Sequence, residues 1–176
     1  MGLLTIKKYG DPILRRECEK VKDIDRNINL LYKGMLRFLK ESKNGVGLAA
    51  PQIGYDKQII IIDTYTAGDH NSHPNNFFCL ANPKIIRKSN KNNKSYEGCL
   101  SLPGVSVKVK RANQIEVEAW SLQKNQLIII KAEDFLARVL QHEIDHLQGT
   151  LIIDYLSPWR KLIAMKKLKK TCGGLV

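Results

Sequence analysis

Apolar and polar positions alternate with several distinct periods along the chain, and each period predicts an element. Ile28, Leu31, Met35 and Leu39 recur at spacings of three and four, which predicts an amphipathic helix over residues 25–42, started by Asp25 and ended near Asn44–Gly45. The run QIIIID at 58–63 is β-branched, as is typical of a buried strand. Further strands are predicted at 83–88, 105–110, 114–120 and 126–131; VSVKV and IEVEAW alternate as half-exposed antiparallel strands do. A second helix is predicted over 133–148, with Glu133 and Asp134 in its first turn and Gly149 behind it. A third covers 158–170. Residues 66–76 are polar and aperiodic, which predicts an exposed loop.

Strands crowd the middle while long helices flank it, so the pattern predicts an α+β fold rather than alternating βαβ units. The expected arrangement is antiparallel or mixed sheets packed around a central metal-binding helix, with an N-terminal and a C-terminal helix. The 176 residues suit one domain, residues 1–176, with 158–176 as a basic tail. No apolar run approaches the roughly 18 residues of a membrane span, and the N-terminus resembles neither a secretory signal nor a transit peptide, so a cytoplasmic, membrane-free protein is expected.

Charge changes the picture more than composition does. Lys and Arg number 29 against 17 Asp and Glu, a net +12, which predicts attraction to polyanions, although a solvated lysine-rich surface has the same composition. Six of these cations, Arg160, Lys161, Lys166, Lys167, Lys169 and Lys170, lie in the third helix, and no acidic residue occurs from Tyr155 to Val176. Leu162, Met165 and Leu168, with Trp159 in line before them, are expected to dock that helix on the domain. Cys18, Cys79, Cys99 and Cys172 are too scattered for a disulfide framework and are read as buried thiols, ligands or nucleophiles. His70 and His73 sit in the polar loop and are read as surface residues.

The strongest chemical signal is HEIDH, His142 to His146, inside the second helix. Side chains at i and i+4 share a face, so both imidazoles can grip one metal ion, and Glu143 is placed to take a proton from a water beside it. A catalytic site of this type needs a third protein ligand. The HExxHxxGxxH pattern is followed through Gly149 but has Ile152 where its third His belongs; no Glu follows Glu143, and the last carboxylate, Asp154, falls on an apparent strand. The ligand is therefore expected upstream, where Cys99 of EGCLS, in a short turn beside Gly98, would complete a Cys–His–His set. In GVGLAAPQIG, residues 45–54, Gly45, Gly47 and Gly54 let backbone lie close to an extended substrate, and the Gln52 amide can donate to a developing oxyanion.

Taken together, GVGLAAPQ, EGCLS and QHEIDHLQG, with the early GDPILRR, resemble the signature motifs of the peptide deformylase family in order and spacing. The resemblance implies a metal-dependent hydrolase that removes the formyl group from the N-terminal formylmethionine of new polypeptides. Cys99, His142 and His146 would hold the metal, Glu143 would carry the proton, and the Gln52 amide and Leu100 N–H would hold the oxyanion. Val46, Gly47, Gly98 and Val139 would bind substrate, with the aliphatic stem of Arg138 beside them. One divalent ion per chain is implied, Fe(II) first, with Zn(II), Ni(II) or Co(II) as alternatives. Expected partners are formylmethionyl nascent peptides and the ribosome near its exit site, reached through the basic C-terminal helix; no specific DNA is expected. Two other readings compete, an HExxH metallopeptidase lacking its downstream ligand and a basic ribosome- or nucleic-acid-binding module. Against the second, aromatics are only 7% and no RNA-recognition motif occurs.

Overall fold

The computed structural model describes residues 4–42, 45–68 and 76–171. His70, His73, Cys172 and most of the expected polar loop lie outside them. The order of elements is α1 (Arg26–Glu41), β1 (Gly47–Ala49), β2 (Ile59–Asp63), β3 (Phe77–Lys88), β4 (Asn92–Gly98), β5 (Ser106–Ala112), β6 (Gln114–Ser121), β7 (Gln126–Glu133), α2 (Asp134–Leu147) and α3 (Pro158–Thr171).

Strands β1-β2-β3-β6-β7 form one sheet in that order and β4-β5 a separate hairpin. Every ladder is antiparallel, which settles the choice between antiparallel and mixed sheets. Period-two geometry explains the isoleucine run of β2. Ile59 and Ile61 face α1, packing with Leu31, Met35 and Leu39, while Ile60 and Ile62 face α2, packing with Leu140 and Ile144. All four isoleucines are fully buried, and each such side chain contributes roughly 1.5–3 kcal/mol of transfer free energy. The large sheet thus lies between α1 and α2, and α2, nearly all of whose residues are buried, is the central helix expected from sequence.

Asp25 caps α1 as its position predicts, accepting from the Ile28 N–H at 2.8 Å. The β4–β5 hairpin buries Val105, Val107 and Val109 against Leu14, Leu151, Ile153 and Leu168. Asp154 lies in a 3-10 turn, Ile152–Tyr155, instead of the expected strand. Its carboxylate takes the Leu151 N–H at 2.8 Å and ion-pairs Arg15 at 2.5 Å and Lys161 at 2.6 Å, tying the start of α3 to the N-terminal segment. The docking face of α3 also differs from the sequence expectation: Ala164 and Leu168 are buried, whereas Trp159 is 73% and Leu162 45% exposed. Leu162 follows Lys161 by one residue, about 100° around the helix, and the Lys161–Asp154 pair turns it outward.

Candidate metal centre

Helix α2 presents His142 and His146 one turn apart on the face toward the β4–β5 hairpin, with ring centroids 5.1 Å apart and planes at 74°. Cys99 follows the last residue of β4, and its Sγ lies 3.2 Å from His146 Nε2. One ligand atom from each of Cys99, His142 and His146 falls within 4.8 Å of the others. Tetrahedral coordination at ordinary metal–sulfur and metal–nitrogen lengths separates such donors by about 3.5 Å, so this set fits one divalent ion.

Electrostatics favour the ligating thiolate of Cys99 and, in the metal-free site, a proton on His142 that a bound ion would displace. Burial alone would push the Cys99 thiol up, but His146 and His142 beside it bring it well below its ordinary value. Burial similarly opposes charge on His142, yet Cys99 and Glu97 raise it well above the usual imidazole range. Glu143 is only 4% exposed, and burial raises its carboxyl above the usual range against the pull of His142 and His146. Among the described residues its buried Oε2 has no hydrogen-bond partner, and neither has His146 Nδ1. A buried carboxylate next to the ligands with one oxygen unpartnered suits a proton carrier, because no described residue competes for the lone pairs of that oxygen.

Gly47 earns its place by contact. A Cβ there would stand 2.5 Å from Glu143 Oε1, so only glycine lets β1 pass the carboxylate. Gly98 pairs with Ser106 across the hairpin, and among the described residues no atom comes within 4 Å of a Cβ built there, so the open side of its Cα borders the groove. The Gln52 Oε1 accepts from the Ala49 N–H at 2.8 Å, which aims Nε2 toward Cys99 Sγ, at 3.5 Å, and Ser101 Oγ, at 3.4 Å. The Leu100 carbonyl takes a bond from Lys8 Nζ at 2.9 Å, while its N–H has no acceptor among the described residues. These groups share a groove of about 630 Å³, lined by Val46, Gly47, Gln52, Gly98, Cys99, Leu100, Val139, His142 and Glu143.

A buried ionic network behind the ligands escaped sequence reasoning. Glu97, opposite Val107 in the hairpin, sets Oε2 3.0 Å from His142 Nδ1, which holds the ring and leaves Nε2 for the ion. The same carboxylate receives Arg111 Nε at 3.0 Å, Arg111 Nη2 at 2.9 Å and Arg138 Nη1 at 2.6 Å. Burial would raise the Glu97 carboxyl, but His142 and Arg111 bring it down to about 2. Arg111 Nη1 continues to Asp145 at 2.6 Å and to the Tyr155 hydroxyl at 3.0 Å. Arg138 therefore offers more than an aliphatic stem. Its guanidinium is buried and also bonds the Val109 and Asn93 carbonyls at 3.0 and 3.1 Å, and the Asn93 side chain. The available signal was a glutamate two residues before Cys99 in a strand otherwise polar and exposed, and only its pairing partners give it meaning.

With this geometry established, comparison with known proteins gives concordant matches. The sequence profile described as polypeptide deformylase matches residues 3–162. Peptide deformylase 2 of Vibrio cholerae is 42% identical over 170 residues, 97% of this chain and 96% of that protein. The peptide deformylase of Thermodesulfovibrio yellowstonii is 40% identical over 169 residues, 96% of this chain and 98% of its own length. Among solved structures, the peptide deformylase of Ehrlichia chaffeensis in complex with actinonin superposes with a TM-score of 0.87 at 36% identity, covering 97% of this chain and 98% of the other. The enzyme from Plasmodium falciparum gives a TM-score of 0.81 at 35% identity, covering 94% of each chain.

Proposed function

Because the chain belongs to the polypeptide deformylase family, we propose that it hydrolyses the formyl amide of N-terminal formylmethionine on newly made polypeptides through one divalent ion held by Cys99, His142 and His146. The observation that carries this reading is the convergence of those three donors beside the unpartnered Glu143 carboxylate in a groove with backbone on two sides. Cleavage replaces the formyl C–N bond with a C–O bond from water, giving formate and a free amine. When bound, the ion supplies Lewis acidity toward the formyl carbonyl and a neighbouring water.

Glu143 takes the proton of the attacking water on its carboxylate and delivers it to the leaving nitrogen, which could not depart as an anion. Gln52 Nε2 and the Leu100 N–H donate to the oxyanion as it forms, and the Ala49 N–H keeps the Gln52 amide from rotating away. Val46 and Val139 give the methionine side chain apolar walls. The backbones of Gly47 and Gly98 are open to main-chain bonds with the extended peptide. Residues 1–176 act as one catalytic unit in this reading, since the site draws on α2, the hairpin and the turn after β1 together.

A thiolate with two imidazoles accepts several divalent ions. The family resemblance favours Fe(II), with Zn(II), Ni(II) or Co(II) as replacements. The test is protein purified without oxygen: one iron per chain is expected on metal analysis, with formate and free amine released from a formylmethionyl peptide. Cleavage at internal peptide bonds without formate release would instead support a metallopeptidase, and a tightly bound zinc in the active form would overturn the choice of iron.

We place the protein in the cytoplasm, where formylated chains are made; among the described residues no helix is long and apolar enough to cross a membrane. For α3 the finer reading is ribosome contact through Lys166, Lys167, Lys169 and Lys170, all exposed on a helix that has no acidic residue. Dense RNA charge rewards such a helix at low salt, and counterion release makes the association fall steeply as salt rises. Changing these four lysines to Gln should reduce ribosome co-sedimentation at low salt. Unchanged co-sedimentation would leave α3 as a capping helix.

A further inference from the structure

The groove at the metal centre continues past it. Gly104, Val105 and Ser106 line one side of the active-site groove, and the same three residues line a second cleft of about 240 Å³. The far wall of that cleft is α3, which contributes Arg160, Ile163, Ala164 and Lys167. The shared wall begins beside the donors, because Ser106 pairs with Gly98, the residue before Cys99. From there an extended chain advances about 3.3 Å per residue, so a peptide following this wall meets α3 within its first several residues.

Arg160, Ile163 and Lys167 stand at i, i+3 and i+7, on one face of α3. That face leaves its apolar member, Ile163, 56% exposed between two cations. Neither Arg160 nor Lys167 ion-pairs a carboxylate among the described residues, in contrast to Lys161 next to them, which holds Asp154 at 2.6 Å. Lys167 lies along the turn itself, its Cε 3.9 Å from where a Cβ of Gly104 would be. Gly104 has φ +71°, so the turn keeps this shape best with glycine and the lysine stem rests on a surface without side chain.

We propose that the Arg160–Ile163–Lys167 face is a subsite for the downstream part of the formylated chain, where it selects a carboxylate. In a nascent chain the carboxylate is an Asp or Glu side chain a few residues after the methionine; in a short peptide it is also the free C-terminus. The inference rests on the deformylase reading. It adds a sequence preference that the metal centre cannot supply. Each cation is exposed, so the preference is modest, about five-fold in kcat/KM at low ionic strength, and it shrinks as salt screens the pair. It acts through KM, since the contact is made alike in the bound substrate and the transition state.

The test is steady-state kinetics on C-terminally amidated formylmethionyl peptides with no ribosome present. One Asp, Asn or Lys is moved through positions two to six, and a free-acid series is run alongside. Formylmethionyl-alanine amide, too short to reach α3, reports on the deformylase reading alone: no formate from it with metal-loaded protein sinks that reading and leaves the subsite without a reaction. If it is hydrolysed, one position should favour Asp over Asn about five-fold through KM, and the free acid should gain at the length that brings its terminus there. In the Arg160→Gln, Lys167→Gln double variant the Asp/Asn ratio at that position should fall to one, and Arg160→Glu with Lys167→Glu should invert it toward Lys. An equal Asp and Asn profile in the wild type, or a preference that survives both double variants, overturns the subsite.

Discussion

Glu143→Gln should lower turnover of a formylmethionyl peptide by about 10²–10⁴-fold while leaving metal content at the wild-type level. Gln keeps the volume and the planar end group of Glu143 but cannot accept and return a proton. The site is built around that end group: a Cβ at Gly47 would come within 2.5 Å of Oε1, and Oε2 is buried without a partner. The three donors are untouched, because Glu143 is not needed to bring Cys99, His142 and His146 within 4.8 Å of one another. Cys99→Ala provides the contrast. Two imidazoles remain where three donors stood, so metal and turnover should be lost together. Metal analysis on both variants separates the roles, and near-normal turnover in Glu143→Gln would remove this carboxylate as the proton carrier.

What could be read from sequence follows a physical pattern. Elements with one strong period were legible: α1 with its Asp25 cap, β2 as an all-isoleucine run, β5 and β6 as alternating strands. The first half of β3 was not, because Asn82–Pro83 reads as a break. The structure carries the strand through it, with Asn82 at φ 51° and a shift in register between Ala81 and Lys84. The side chain of Asn82 is taken up by Val21, bonding its N–H and its carbonyl at 2.8 Å each. Strand β4 was missed for a different reason: NNKSYEG is polar and mostly exposed, and β5 is its sole partner in the hairpin. The three residues that converge at the candidate metal centre were legible because helical spacing and a glycine-flanked cysteine are local signals. The groups that orient them were not. Arg111 comes from β5 and Arg138 from α2, and both meet Glu97 across distances in sequence that no local pattern spans.

That hidden carboxylate gives the largest expected loss of stability. Glu97→Ala should destabilise the metal-free protein by about 3–5 kcal/mol, the usual cost of removing one partner from a buried ion pair. The penalty comes from what stays behind. The Arg138 guanidinium would keep only neutral acceptors, the Val109 carbonyl and the Asn93 side chain and carbonyl, while Arg111 would keep Asp145 and Tyr155. His142 would also lose the acceptor that fixes its ring, which typically costs about 10–100-fold in metal affinity. Denaturant unfolding of the metal-free protein measures the first effect and metal competition the second. Should Glu97→Ala not fold, Glu97→Gln keeps the volume and reports the missing charge alone. Adding Arg138→Met to either variant should recover part of the lost stability by removing one stranded cation. Acid gives an independent check on sign. A carboxyl held at about 2 in the folded protein stabilises it fully above the ordinary glutamate value, near 4.3, and that contribution drains away as pH falls toward 2. Wild type should therefore lose stability across this window more steeply than Glu97→Gln does. Parallel acid profiles, or an unfolding free energy for Glu97→Ala within about 0.5 kcal/mol of wild type, would mean that water replaces the carboxylate and that the network does not hold the metal-binding helix to the hairpin.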